Sequence, residues 1–162
     1  MQKLTPVIEE RIRVAPERFI RPLINREKLT LSVEAVHVGG EPIPYGEAIS
    51  REFKPFEVGG KWGAKWDTTW FKFSGTVPLE WQGEEVVALV NLSFEENEGF
   101  GREGIVWKDG KPLIAVNRNR QSIPLIDSAV GGEEVVFYVE AAANPAAKWF
   151  WGDGDDRNKG GW

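Results

Sequence analysis

The chain has no cysteine among its 162 residues, which excludes disulfides and thiolate metal sites alike. It has a single histidine, His37, so a histidine-rich zinc site cannot be assembled. A Ser-His-Asp arrangement would have to use that one ring, and nothing around it adds a second feature of such a site. No GxSxG nucleophile elbow or GxxxxGK[ST] phosphate loop occurs. No hydrophobic run approaches the roughly 20 residues of a membrane span. The N-terminus also lacks the continuous apolar stretch of a signal peptide. The expectation is therefore a soluble, cytoplasmic protein. A formal net charge of −5 argues against a general nucleic-acid binder, so neither nucleic acid nor membrane is an expected partner.

Aromatic residues, by contrast, are plentiful: 8 Trp and 9 Phe against only 2 Tyr. Rings of this size fill a small β core economically and also stack on ligands, and composition does not separate the two uses. Charge is uneven. Residues 1–30 carry 7 basic and 4 acidic side chains, leaving an acidic body. Such an arm has three open fates: docking on its own body, docking on another domain, or staying in water.

Periodicity divides the chain into a short, partly helical or irregular arm (1–28), a β body (29–148) and a polar tail or linker (149–162). In the arm, Thr5-Pro6 is suited to start a helix as N-cap and first-turn proline. Ile8, Ile12 and Ala15 follow on one face, and Pro16 and Pro22 interrupt the pattern. From Leu29 the period becomes two. Leu29, Leu31, Val33 and Ala35 share one side of an expected strand. Phe53 and Phe56 anchor a poorly patterned stretch. Thr69–Ser74 alternates with aromatics on both faces, Glu85–Leu92 and Glu134–Glu140 are further strands, and Asp109-Gly110 is a hairpin turn. Short strands separated by Gly and Pro turns indicate an all-β antiparallel β-sandwich or jelly roll. Leu31, Val33, Phe71, Phe73, Val87, Leu89, Val135 and Phe137 are expected to point inward.

Candidate functional residues fall into two groups. The aromatic group is Trp62, Trp66 and Trp70, with Trp149 and Trp151 near the tail; it serves as a sugar platform, a domain interface or a cap on the sandwich. Trp62, Trp66, Trp149 and Trp151 are the expected members of an exposed apolar patch. The acidic group is Glu95, Glu96, Glu98 and Glu103. Glycoside hydrolysis needs two facing carboxylates, but these lie too close in sequence to define opposed walls of a cleft. A solvated turn or a domain or ligand contact fits them better. Asp153, Asp155 and Asp156 lack the closing Glu of a calcium loop, so no metal site is expected in this chain.

The run WGAKWDTTWFKFSGTVPLEW resembles the N-terminal β-sandwich domain of glycoside hydrolase family 38 α-mannosidases of the bacterial, fungal and cytosolic type. The matching positions are Gly60, Trp62, Gly63 and Trp66, then Thr69, Trp70 and Phe71, then Val77, Pro78 and Trp81. Glu103-Gly104, Asp109-Gly110-Lys111-Pro112 and Glu140–Pro145 continue the likeness, while Ala115 and Asn117 stand where the family often has Gly and Asp. The resemblance implies a galactose-binding-like jelly roll that precedes a zinc-containing catalytic domain in a retaining exo-α-mannosidase. The implied nucleophile and metal ligands belong to that other domain and match no position here. A non-catalytic scaffold partnered by the catalytic domain is the leading reading, with homo-oligomerisation through exposed aromatics also open. An autonomous carbohydrate-binding module is the alternative, and a small free-standing glycosidase or lyase is the reading least supported by the residues.

Overall fold

A computed structural model describes residues 4–25, 27–94 and 101–145. The chain divides into two compact units, one ending at Thr30 and the other beginning at Leu31. In the first unit, helix α1 (Thr5–Ala15) is followed by a π-helical turn, Pro16–Ile20, and a 3-10 turn, Arg21–Leu23. Leu4, not Thr5, occupies the N-cap position, and no side-chain cap bond is made there. Pro16 does not stop the helical path as expected. It takes an αR conformation at the C-cap of α1, and the winding loosens into the π turn instead. Among the described residues no helix is long and apolar enough to cross a membrane.

The second unit is built on two antiparallel sheets. Its elements are β1 (Ser32–His37), α2 (Tyr45–Ile49), β2 (Lys54–Pro55), β3 (Thr68–Thr76), β4 (Val86–Leu89), β5 (Glu103–Lys108), β6 (Lys111–Val116), β7 (Ser122–Ile126) and β8 (Glu134–Ala142). Six strands form one sheet in the order β2-β1-β3-β8-β5-β6, and β4 pairs with β7 in the other. The expected β-sandwich is therefore present, as is the Asp109-Gly110 turn, where both residues have positive φ as a two-residue hairpin requires.

The main core lies on one face of the large sheet. Phe73 and Phe137 are direct cross-strand partners, and their rings stack at 4.8 Å. Phe71 beside them meets Phe56 and Trp62 edge-on at 5.2 and 5.6 Å. Val86, Ala88 and Ile123 bring the small sheet into the same cluster. On the other face of the large sheet, a second cluster forms around Trp70, with Tyr45, Phe53, Trp107 and Tyr138 packed about it. Tyr45 of α2 stacks on Trp107 at 4.8 Å, so this short helix, absent from the sequence reading, covers the aromatics that alternation turns away from the main core.

Two placements are corrected. Leu29 is exposed and lies before β1, although Leu31, Val33 and Ala35 do pack on the core. In β4 the inward residues are Val86 and Ala88, not Val87 and Leu89; Leu89 is 51% exposed. The run Val86–Val90 is apolar throughout and carries no phase. A register irregularity between Val86 and Val87 helps set which residues turn inward.

Two consequences are measurable. Phe71 is fully buried, so Phe71→Ala should lower unfolding free energy by about 3–5 kcal/mol, read from chemical denaturation. Glu140 sits on the outer face, its cross-strand neighbours being Trp70 and Ile105. Burial pushes its carboxyl up from the ordinary range, partly opposed by the Trp107 indole. A raised folded-state pKa means the protonated form is favoured in the fold. That contribution is complete below the unfolded value and disappears as pH rises through the folded one. Glu140→Gln should therefore raise the denaturation midpoint at pH 7. The gain should vanish once the pH falls below the ordinary glutamate range.

Candidate functional site

The loop 60–67 between β2 and β3 carries the Trp-rich motif, and both of its glycines have a steric reason. Gly60 donates its N–H to Glu57 O at 2.8 Å, and a Cβ there would lie 2.8 Å from that same oxygen. Trp62 then turns inward and is 5% exposed. Gly63 has φ +62°, and a Cβ on it would come within 2.9 Å of the Ala143 Cβ. The loop is thus pressed against the chain just after β8. Two backbone bonds hold it there: Trp66 N–H donates to Ala143 O at 3.0 Å, and Ala143 N–H donates to Asp67 O at 2.9 Å.

Asp67 closes the turn from within by accepting the Ala64 N–H on Oδ2 at 2.8 Å. The same oxygen lies 3.2 Å from His37 Nε2. His37 stands opposite Thr69 in the β1–β3 register, and its Nδ1 lies 3.2 Å from Thr69 Oγ1. A neutral ring protonated on Nε2 satisfies both contacts, donating to Asp67 and accepting from the Thr69 hydroxyl. This Asp-His-Thr arrangement has the order of a nucleophile relay, with Thr69 2% exposed and lining the same depression as His37 and Asp67. The three residues work as a brace tying the loop to the sheet. His37 is the last residue of β1. Asp67 was not singled out, although its place directly after the Trp motif is the signal for it.

With the loop so held, Trp66 takes a left-handed backbone conformation (φ 69°) and its side chain is directed outward, 55% exposed. Beside the brace is an open depression of about 710 Å³ whose walls include His37, Glu52, Lys54, Lys61, Trp62 and Asp67. The aromatic candidates therefore separate. Trp62 leaves the expected exposed patch because its ring packs on Phe71. Trp70 is fully buried in the outer-face cluster and cannot serve as a sugar platform. Trp66 alone of the three offers a ring to a partner. Trp149 and Trp151 lie outside the described residues, as do Glu95, Glu96 and Glu98. Glu103 opens β5 and accepts a hydrogen bond from Asn144 Nδ2 at 3.2 Å, a tie between β5 and the chain after β8. Among the described residues no three His, Asp or Glu side chains converge to hold a metal ion.

A family model described as the jelly roll domain of α-mannosidase matches residues 27–160. Human α-mannosidase 2C1 is 34% identical over 108 residues, covering 64% of this chain and 10% of that protein. The α-mannosidase G of Dictyostelium discoideum is 30% identical over 136 residues, 78% of this chain and 12% of that protein. Mouse α-mannosidase 2C1 is 31% identical over 108 residues, with 64% and 10% covered. The chain thus spans only about a tenth of the length of the curated relatives it matches.

The loop geometry separates two substitutions. Gly63→Ala forces a side chain into both a left-handed backbone and the Ala143 methyl, and should cost about 1–3 kcal/mol in denaturation. Trp66→Ala removes a mostly exposed ring and should change stability by less than about 1 kcal/mol.

Proposed function

The chain belongs to the jelly roll domain family of α-mannosidases, and on that premise we propose that it is a non-catalytic positioning module for an α-mannosidase catalytic region. In this reading the catalytic region supplies the zinc and the acid pair that hydrolyse terminal α-mannosides with retention, as in glycoside hydrolase family 38. The present chain supplies a rigid mounting surface. The observation that carries the proposal is the braced loop. A buried Trp62, a sterically required Gly63 and the Asp67–His37–Thr69 contacts together fix an outward Trp66. An aromatic ring held rigidly on a sandwich costs little conformational entropy to bury, which suits an interface anchor. The scale of the relatives, about ten times the matched segment, also favours a domain that works beside others.

Co-elution tests this directly. The catalytic region of the source organism's α-mannosidase, expressed separately, is mixed with residues 1–162. The two should migrate together on gel filtration, Trp66→Ala should weaken the complex, and residues 1–162 alone should give no turnover of an aryl α-mannoside. Turnover by the repurified chain alone would overturn the proposal. So would a chain that ignores the catalytic region yet binds mannose saturably, the outcome expected of a carbohydrate-binding module.

A further inference from the structure

The depression beside the brace has the makings of a ligand site that docking through Trp66 leaves unused. Its volume of about 710 Å³ lies in the range of small-molecule sites, and all of its walls belong to the second unit. The end of β1 contributes Ala35, Val36 and His37. Lys54 comes from β2, where it pairs with Ala35, and Glu52 lies just before it in the chain. The loop contributes Lys61, Trp62 and Asp67. Trp66 lies outside these walls.

The polar groups of the walls are of two kinds. His37 and Asp67 are already placed by their contacts with Thr69 and the Ala64 N–H. Glu52, Lys54 and Lys61 are exposed, and among the described residues none of them has an ion pair or a side-chain hydrogen bond. Trp62 adds a third feature. Its ring is 5% exposed, and its indole N–H is buried with no hydrogen-bond partner among the described residues. A buried donor left unpaired is costly, and an acceptor delivered through the depression would relieve that cost.

Charge narrows the ligand class. Two lysines and two carboxylates give these walls no net charge while His37 is neutral. An anionic ligand would gain Lys54 and Lys61 but meet Glu52 and Asp67, and a cationic one would have the reverse conflict. A polyhydroxyl ligand has neither. Each hydroxyl donates once and accepts twice, so neighbouring hydroxyls donate to a carboxylate and accept from an ammonium group together. Pro55, Phe56 and Trp62 add apolar surface for the C–H face of a sugar ring.

We propose that this depression is a binding subsite for a neutral saccharide ending in α-mannose, separate from the docking ring of Trp66. The identity of the sugar rests on the function proposed above. The charge balance and the unpaired groups of the walls stand without it.

The test is a titration of the full-length chain with methyl α-mannoside, followed in nitrogen–proton correlation spectra. Binding should saturate with a Kd below about 10 mM, and the shifts should centre on His37, Lys61, Trp62 and Asp67. Glu52→Gln and Lys61→Ala should each weaken binding at least about tenfold. Both change exposed side chains, so their thermal melts should match that of the unaltered chain. Lys111→Ala, on β6 at the opposite edge of the large sheet, should stay within about twofold of the unaltered chain. A mannose phosphate and mannosamine, which add an anion and a cation, should bind no more tightly than methyl α-mannoside. Absence of saturable shifts, shifts centred away from the depression, or tighter binding of either charged sugar would overturn the proposal. So would binding that ignores both substitutions. Co-elution with the catalytic region reads docking independently: a chain that docks but binds no mannoside loses only the subsite, and one that binds mannoside but does not dock loses only the positioning role.

Discussion

Everything in the jelly roll depends on β3 being covered on both faces. The strand lies between β1 and β8 and pairs with β8 over its whole length, Thr68 opposite Ala142 through Thr76 opposite Glu134. Its sequence places Phe71 and Phe73 on one side and Trp70 and Lys72 on the other, because successive side chains of a strand alternate. A two-layer sandwich can cover only one side of such a strand with its opposite sheet. The small β4–β7 sheet takes the Phe side, and the chain after β1 returns with α2 to take the Trp side. Lys72 leaves that second cluster through its ion pair with Glu34 on β1, 2.7 Å long and about a third exposed, a contact worth at most about 1 kcal/mol. The aromatic richness of the sequence is mostly consumed by this two-sided burial.

How far this could be read from sequence depended on whether a residue's phase was local. In β3 and β8 period two sorts the side chains by face, with Phe71, Phe73, Val135 and Phe137 together on one side and Trp70 and Tyr138 on the other, although large rings on both sides leave the choice of core face to the rest of the fold. In β4 the residues are apolar on both phases, so the face was decided by pairing with β7, a partner thirty-odd residues away that has a proline inside it. Helix α2 was hidden for a different reason. Five residues are too few to show a helical period, and the role of Tyr45 exists only because Trp107 and Tyr138 arrive from distant strands.

The candidate site divides along the same line. Three tryptophans spaced four apart looked alike in the chain, yet only Trp66 is turned outward. Spacing of four means little in a loop, where backbone conformation and not helical period sets direction. Gly63 and Trp66 both adopt positive φ, and the turn between them reverses the chain so that Trp62 goes inward and Trp66 outward. A non-glycine residue in the left-handed region is unusual and costs energy. Here the Ala143 backbone and the Asp67 carboxylate hold the turn in place. Strain maintained by that many contacts is the cost of fixing one ring's direction, and this is why the loop, and not the larger aromatic cluster behind it, is the place to look for a partner.

At the loop, the ring is rigid before any partner arrives: His37 lies against both Asp67 and Thr69, and the sheet behind them is a continuous hydrogen-bonded ladder. A rigid anchor contributes specificity and loses little entropy on binding. Binding at Trp66 would then suffer more from a change that releases the ring from its turn than from a change elsewhere on the surface, because the loop has only one backbone path past Ala143.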